Sequence, residues 1–475
     1  MRTRYSCLLL VGLAAGVTDG LWQAGSAEGC GNPMQMFSQQ AVYGDDAART
    51  AAIARLRKAG PGGLQALVET HSVLLESLRT KATPDNLKAQ NRPQASLTTE
   101  QERALWNPVK EKPQAIHSER LRTALDEVAQ QRGAHNSLLF WYTDLEAAKV
   151  EAKRTQRPIL SLRLLGKLTD EYSCANSRFF RTVLYANKEV AGKLRDTFVL
   201  HWSTERPVPV VTVDFGDGRV LKRTMMGNSA HYVLDFNGRP VDVVPGLYGP
   251  KAFLKVVGSA AVVASEVAPL SDTAAAGKLA AFHKARLEII LAAWNADLAK
   301  VGGGKKVVSP PRNPGDGNQS LSSRFYGPLT NDFSLSARTT DEDWTRIAAL
   351  HLDDARLDET GKALIRNEKP AGPPAPDAMR VAVCKMAVEM PMLRAAQAAL
   401  QFERNVALDS VRNEYLLHST IHEWFVRGMG KVDFAGLNQR VYAELFLTPA
   451  NDPWMGLAPA VYTGLEGAGM SISAR

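Results

Sequence analysis

Between about Ser137 and Ser265 the chain alternates short apolar runs with amphipathic ones, and this constrains its fold more than any other feature. Asp144-Leu-Glu-Ala-Ala-Lys-Val-Glu-Ala-Lys-Arg has the pattern of a helix. Pro158-Ile-Leu-Ser-Leu-Arg-Leu-Leu reads as a buried strand. A helical pattern returns from Asn176 to Leu194, and Phe198-Val-Leu-His-Trp reads as a second strand. Tyr232-Val-Leu, then Asn237-Gly238, then Pro240-Val-Asp-Val-Val predicts a hairpin, because Asn-Gly suits a turn with positive φ. Lys251 to Ser265 closes the unit as a helix. A βαβ half followed by a ββα half implies an α/β sandwich.

This unit covers only part of the 475 residues. A soft rule of about 150 residues per domain allows roughly three domains. The boundaries read as a signal at 1–27, an N-terminal helical region at 28–136 and the α/β unit at 137–266. A long helix follows at 267–301, then a Gly/Pro/Ser-rich linker at 302–340 and a C-terminal helical domain at 341–475. The fold class expected is multidomain α and α/β, with helical regions flanking a central sandwich. Asp45 to about Lys81 reads as helix, turn, helix, with the turn at Gly60-Pro61-Gly62-Gly63. Another helix is expected from Ser118 to Gln131, and Lys369-Pro-Ala-Gly-Pro-Pro-Ala-Pro marks a further break. Asp433 is placed as the N-cap of a helix over Phe434 to Phe446, with Trp454 and Tyr462 anchoring the tail.

Arg2 and Arg4, the apolar Cys7 to Val17, and the small residues Gly25-Ser26-Ala27 have the form of a secretory signal. They predict a periplasmic or secreted protein. No later run reaches the ~18 apolar residues of a spanning helix, so the mature chain has no expected membrane span. The formal charge of +8 is spread among acidic residues, without the basic tract and interleaved aromatics of a nucleic-acid binder. The chain has four cysteines, too few for a disulfide framework and without zinc-site spacing. Losing Cys7 with the signal leaves Cys30, Cys174 and Cys384, an odd number in an oxidising compartment. Kinase, P-loop, haem-attachment and nucleophile-elbow patterns are incomplete or absent.

The unit at 137–265 resembles the thioredoxin-like superfamily. Trp141, Asp144-Leu-Glu-Ala-Ala and Arg157-Pro158-Ile-Leu-Ser-Leu match the helix and first core strand of its periplasmic members. Where those members carry Cys-x-x-Cys, this chain has Cys174-Ala175-Asn176-Ser177. Asp235-Phe236-Asn237-Gly238 matches the terminal hairpin turn. The resemblance implies a catalytic Cys174 at a helix start, where unpaired backbone N–H groups favour a thiolate, with Ser177 donating a hydrogen bond in place of a resolving thiol. It also implies a substrate-binding segment at Asn228 and Ser229, although Ser229 stands where the family has a cis-proline. One reading is a monothiol disulfide oxidoreductase or isomerase that handles another exported protein. The other is a non-redox interaction scaffold. The insertion from Pro207 to Arg219 adds surface to this unit.

A second concentration of chemistry lies near the C-terminus, in Asn413-Glu414-Tyr-Leu-Leu-His418-Ser-Thr-Ile-His422. Glu414, His418 and His422 are four residues apart and share one face of a helix. Two imidazoles and a carboxylate at that spacing suit a divalent metal, zinc or copper. The same spacing also suits a Glu414–His418 pair on an ordinary packing face. No cofactor is required by any other motif.

Overall fold

A computed structural model describes residues 32–80, 108–225, 227–304, 333–366, 391–428 and 433–452. The expected signal, Cys7, Cys30, Cys384, the Pro-rich break at 369–376, Trp454 and Tyr462 lie outside the described residues.

The chain is mixed α/β. Five strands form one sheet in the order β1-β3-β2-β6-β7: β1 (Trp141–Tyr142), β2 (Ile159–Leu165), β3 (Val199–Arg206), β6 (Ser229–Leu234) and β7 (Pro240–Pro245). β2 is central, parallel to β3 and antiparallel to β6. Its aliphatic run follows from that position, because a strand covered on both faces has no solvent side to alternate toward. Asp144 caps the helix Leu145–Thr155 by accepting from the Glu146 and Ala147 N–H groups at 2.7 and 3.1 Å. In the β6–β7 turn Gly238 carries a positive φ of 92°. Asn237 does not; its N–H and that of Arg239 are each held by the Asp235 carboxylate at 2.9 Å.

The helix expected over Asn176 to Leu194 is broken. It runs Ala175–Phe179, widens to a π turn at Phe180–Leu184, and restarts at Lys188–Thr197 behind an Asn187 cap. The insertion after β3 is a separate two-stranded ribbon, β4 (Val210–Asp214) with β5 (Val220–Thr224). All five residues of β4 are exposed.

At the N-terminal end, Gly60 caps a helix Pro61–Thr70, so Pro61, Gly62 and Gly63 lie inside that helix. Proline is pre-organised for a first helical turn. The helices at Pro33–Tyr43, Asp46–Lys58, Pro61–Thr70, Ser72–Thr80 and Pro108–Ala129 build a core of their own around Leu56, Leu67, Leu121 and Leu125. Arg57 ties this core to the sheet, donating to Val128 O at 2.9 Å and Trp141 O at 2.7 Å.

The C-terminal helices do not build a third core. Ile290, Trp294, Ile347, Val411, Ile421, Phe425 and Leu437 belong to one continuous apolar cluster with β2, β6 and β7. Part of the expected linker is also structured: Phe333–Arg338 is helical with Leu335 buried, and Thr340 caps Asp341–Leu350 with a reciprocal Asp343 contact. The long helix spans Asp272–Lys300. It packs on Ser419–Val426, while the π turn Asn413–His418 meets β7. These contacts bring the chemistry of the C-terminal motif against the sheet. Among the described residues no helix is long and apolar enough to cross a membrane.

Candidate metal centre

Asp242 interrupts an otherwise apolar strand, and a lone carboxylate buried in a sheet requires a partner. It is 1 % exposed, and its Oδ1 lies 3.0 Å from His418 Nε2. The other ring nitrogen of His418, Nδ1, lies 2.8 Å from Glu414 Oε2. With a carboxylate on each nitrogen, both nitrogens donate and His418 is an imidazolium. Burial opposes that charge, but Asp242 and Glu414 outweigh it and raise the ring's pKa to about 10. Asp242 and Glu414 are in turn held below the usual carboxylate range: burial would raise both, and the His418 charge overrides it.

His422 and His283 complete the cluster. His283 Nε2 faces Val241 O at 2.9 Å, and its Nδ1 faces His422 Nδ1 at 2.6 Å. A carbonyl can only accept, so His283 carries its proton on Nε2. Burial favours the uncharged ring and lowers the His283 pKa to about 4, which leaves His283 Nδ1 as an acceptor. His422 must therefore donate from Nδ1, and its Nε2 is a bare lone pair. That atom is buried and has no hydrogen-bond partner among the described residues. Burial, followed by the charge on His418, pushes the pKa of His422 well down, so this lone pair does not pick up a proton. A buried nitrogen lone pair without a donor is costly unless a water or an ion meets it.

Asp242, His418 and His422 can each bring one donor atom within 4.8 Å of the others, and all three are buried. One carboxylate and two imidazoles form a set suited to zinc. Of the three residues expected from sequence, His418 and His422 belong to this set and Glu414 does not. Both Glu414 oxygens are engaged elsewhere: Oε2 with His418 and with the Tyr248 hydroxyl at 3.2 Å, Oε1 with Arg286 at 3.1 Å. Glu414 thus orients a ligand from behind. Asp242 and His283 were missed because they are remote in the chain. Asp242 was legible as a single acid in Pro-Val-Asp-Val-Val-Pro, a pattern in which a buried charge needs a partner. The π turn at 413–418 is a local widening of the kind often found at functional sites, and no sequence signal foretold it.

The thiol site has a different character. Cys174 does cap the helix Ala175–Phe179, and its Sγ accepts from Ser177 N–H at 3.4 Å. It is 0 % exposed, however, and burial raises its pKa, with the backbone N–H contacts offsetting only part of the effect. Burial thus works against the thiolate expected at this helix start. The Ser177 hydroxyl is buried and makes no hydrogen bond among the described residues. Ser229 is buried and accepts from Asn176 Nδ2 at 2.9 Å. Asn228 is bound to the C-terminal segment, through Thr448 Oγ1 at 3.2 Å and the Tyr442 hydroxyl at 3.4 Å. The segment expected to receive substrate is thus engaged by the chain itself. Native Cys174 is expected to resist iodoacetamide at pH 8 and to react at the rate of an ordinary thiol once unfolded; mass-spectrometric alkylation kinetics check this.

Comparison with protein-family models, with curated proteins and with solved structures returns no match, so the functional reading rests on the geometry above.

Proposed function

We propose that this is an exported, thioredoxin-like protein that binds one divalent metal ion, zinc or copper, through Asp242, His418 and His422. The observation that carries the reading is the buried Nε2 of His422, without a partner among the described residues, beside a carboxylate and a second imidazole. Two nitrogens and one oxygen suit zinc, and nitrogen–oxygen sets also suit copper(II). Three protein donors leave a zinc ion one position for water or a small ligand. In the metal-free state the His418 Nε2 proton supplies the positive charge between the carboxylates; a metal ion would displace it. The βαβ and ββα order around one sheet supports the thioredoxin-like reading, and Arg2, Arg4 and the apolar run after them support export. The closed Cys174 favours a non-redox role over a monothiol oxidoreductase. The test is zinc titration of the full chain, purified without a histidine tag, against His422→Ala: the parent binds one equivalent and the variant does not.

A second reading, an interaction scaffold for another exported protein, is favoured by the β4–β5 ribbon. Val211, Val213 and Phe215 are 42, 42 and 54 % exposed there. Apolar side chains on a projecting ribbon are the kind of surface a partner covers.

A further inference from the structure

A cavity of about 130 Å³ lies between the helices Pro250–Val267 and Asp272–Lys300 and the C-terminal end of Pro391–Arg412. It is smaller than a drug-sized pocket. Its apolar walls include Ala252, Val256, Ile289 and Ile290. Nearly every polar group on its lining is already engaged. Tyr248 donates to Glu414, and Tyr415 donates to Asp297 at 2.6 Å. His351 is held by Asp297 at 2.6 Å and by Asp354 at 3.5 Å. Ser410 donates to Val406 O at 2.6 Å and accepts from Gly249 N–H at 2.8 Å. Both oxygens of Glu414 are taken, and its charge is shared by Arg286 and His418.

Two donors remain. Arg286 gives one nitrogen to Glu414 and lines the cavity with a side chain that is only 15 % exposed. Lys255 stands at the same wall and is exposed, with no ion-pair partner among the described residues. The lining's two carboxylates face other groups, Glu414 toward Arg286 and His418 and Asp354 toward His351, so what the cavity lacks is an anionic partner for Lys255 beside its apolar surface. A guanidinium suits a carboxylate, because its planar fork matches the two oxygens. We propose that this cavity is a binding site for a small organic carboxylate, with Arg286 and Lys255 as its ion partners and the Val256, Ile289 and Ile290 wall holding its apolar body.

The site does not depend on the metal reading, so the test is run on the full chain with EDTA present. Butyrate is titrated by calorimetry and by ligand-observed NMR, with butyramide as the uncharged isostere and chloride as a control for ionic strength. Butyrate is expected to bind about tenfold more tightly than butyramide, since a charge-assisted contact is lost in the amide. Lys255→Met and Ile289→Asp each weaken butyrate at least fivefold. Ile289 is 56 % exposed, so the aspartate adds repulsion at the rim without entering the core. Equal responses to butyrate and butyramide, a response to chloride as large as that to butyrate, or unchanged binding in both variants would overturn the assignment.

Discussion

Replacing Asp242 with alanine is expected to destabilise the metal-free protein by about 3–5 kcal/mol at neutral pH, because it leaves a buried imidazolium with only one of its two carboxylates. The direction of the pH dependence follows from the shifts. The His418 pKa is raised from 6.5 to about 10 in the folded state, so its contribution is fully present below pH 6.5 and disappears as the pH rises through 10. Asp242 and Glu414 are depressed, with the His418 charge overriding the effect of burial. Their contribution is present above the ordinary carboxylate range and is lost on acidification. The parent should therefore lose stability steadily from neutral to alkaline pH, and Asp242→Ala should lose much less. The two curves converge near pH 10. Guanidinium unfolding with EDTA present, followed by tryptophan fluorescence, reads both. A difference below about 1 kcal/mol at pH 6, with the alkaline slope unchanged, would mean that the Asp242–His418 contact does not stabilise the fold.

The second large effect concerns zinc. His422→Ala removes the nitrogen whose lone pair faces no donor among the described residues and is expected to weaken zinc roughly 100-fold or more, beyond the 10- to 100-fold typical of losing an outer partner. Glu414→Gln and His283→Phe remove only such outer partners and should fall within that smaller range. Binding also has a proton signature. At neutral pH a metal ion must displace the His418 Nε2 proton, so one proton is released per ion. The apparent affinity should then fall about tenfold for each unit of acidification over the range where His418 alone sets the exchange. Titration in buffers of different ionisation enthalpy measures that proton. Zinc uptake without proton release would place the ion elsewhere.

The i, i+4 spacing of Glu414, His418 and His422 was legible in the sequence, and it located the chemistry on the right segment. The sequence did not show what faces it. His418 meets Asp242 across 176 positions, and His283 meets His422 across 139. Spacing along one helix says nothing about such partners; only the packing of β7 and Asp272–Lys300 supplies them. The same limit changed the role of Glu414, whose neighbours Tyr248 and Arg286 lie on other elements. The strands and the β6–β7 hairpin were readable because a strand's pattern and a tight turn's chemistry are local. The helix-start position of Cys174 was readable for the same reason. Its burial was not, because the apolar cluster that holds it draws on residues from both the sheet and the C-terminal helices.

The central claim is that Asp242, His418 and His422 form one metal site, and zinc calorimetry on the full chain at pH 7.5 with His422→Ala beside it addresses that claim most directly. The expected result is one tight site in the parent, with one proton released, and its loss in a variant that remains folded by circular dichroism. Equal zinc binding by parent and folded variant, or no binding by the parent, would contradict it.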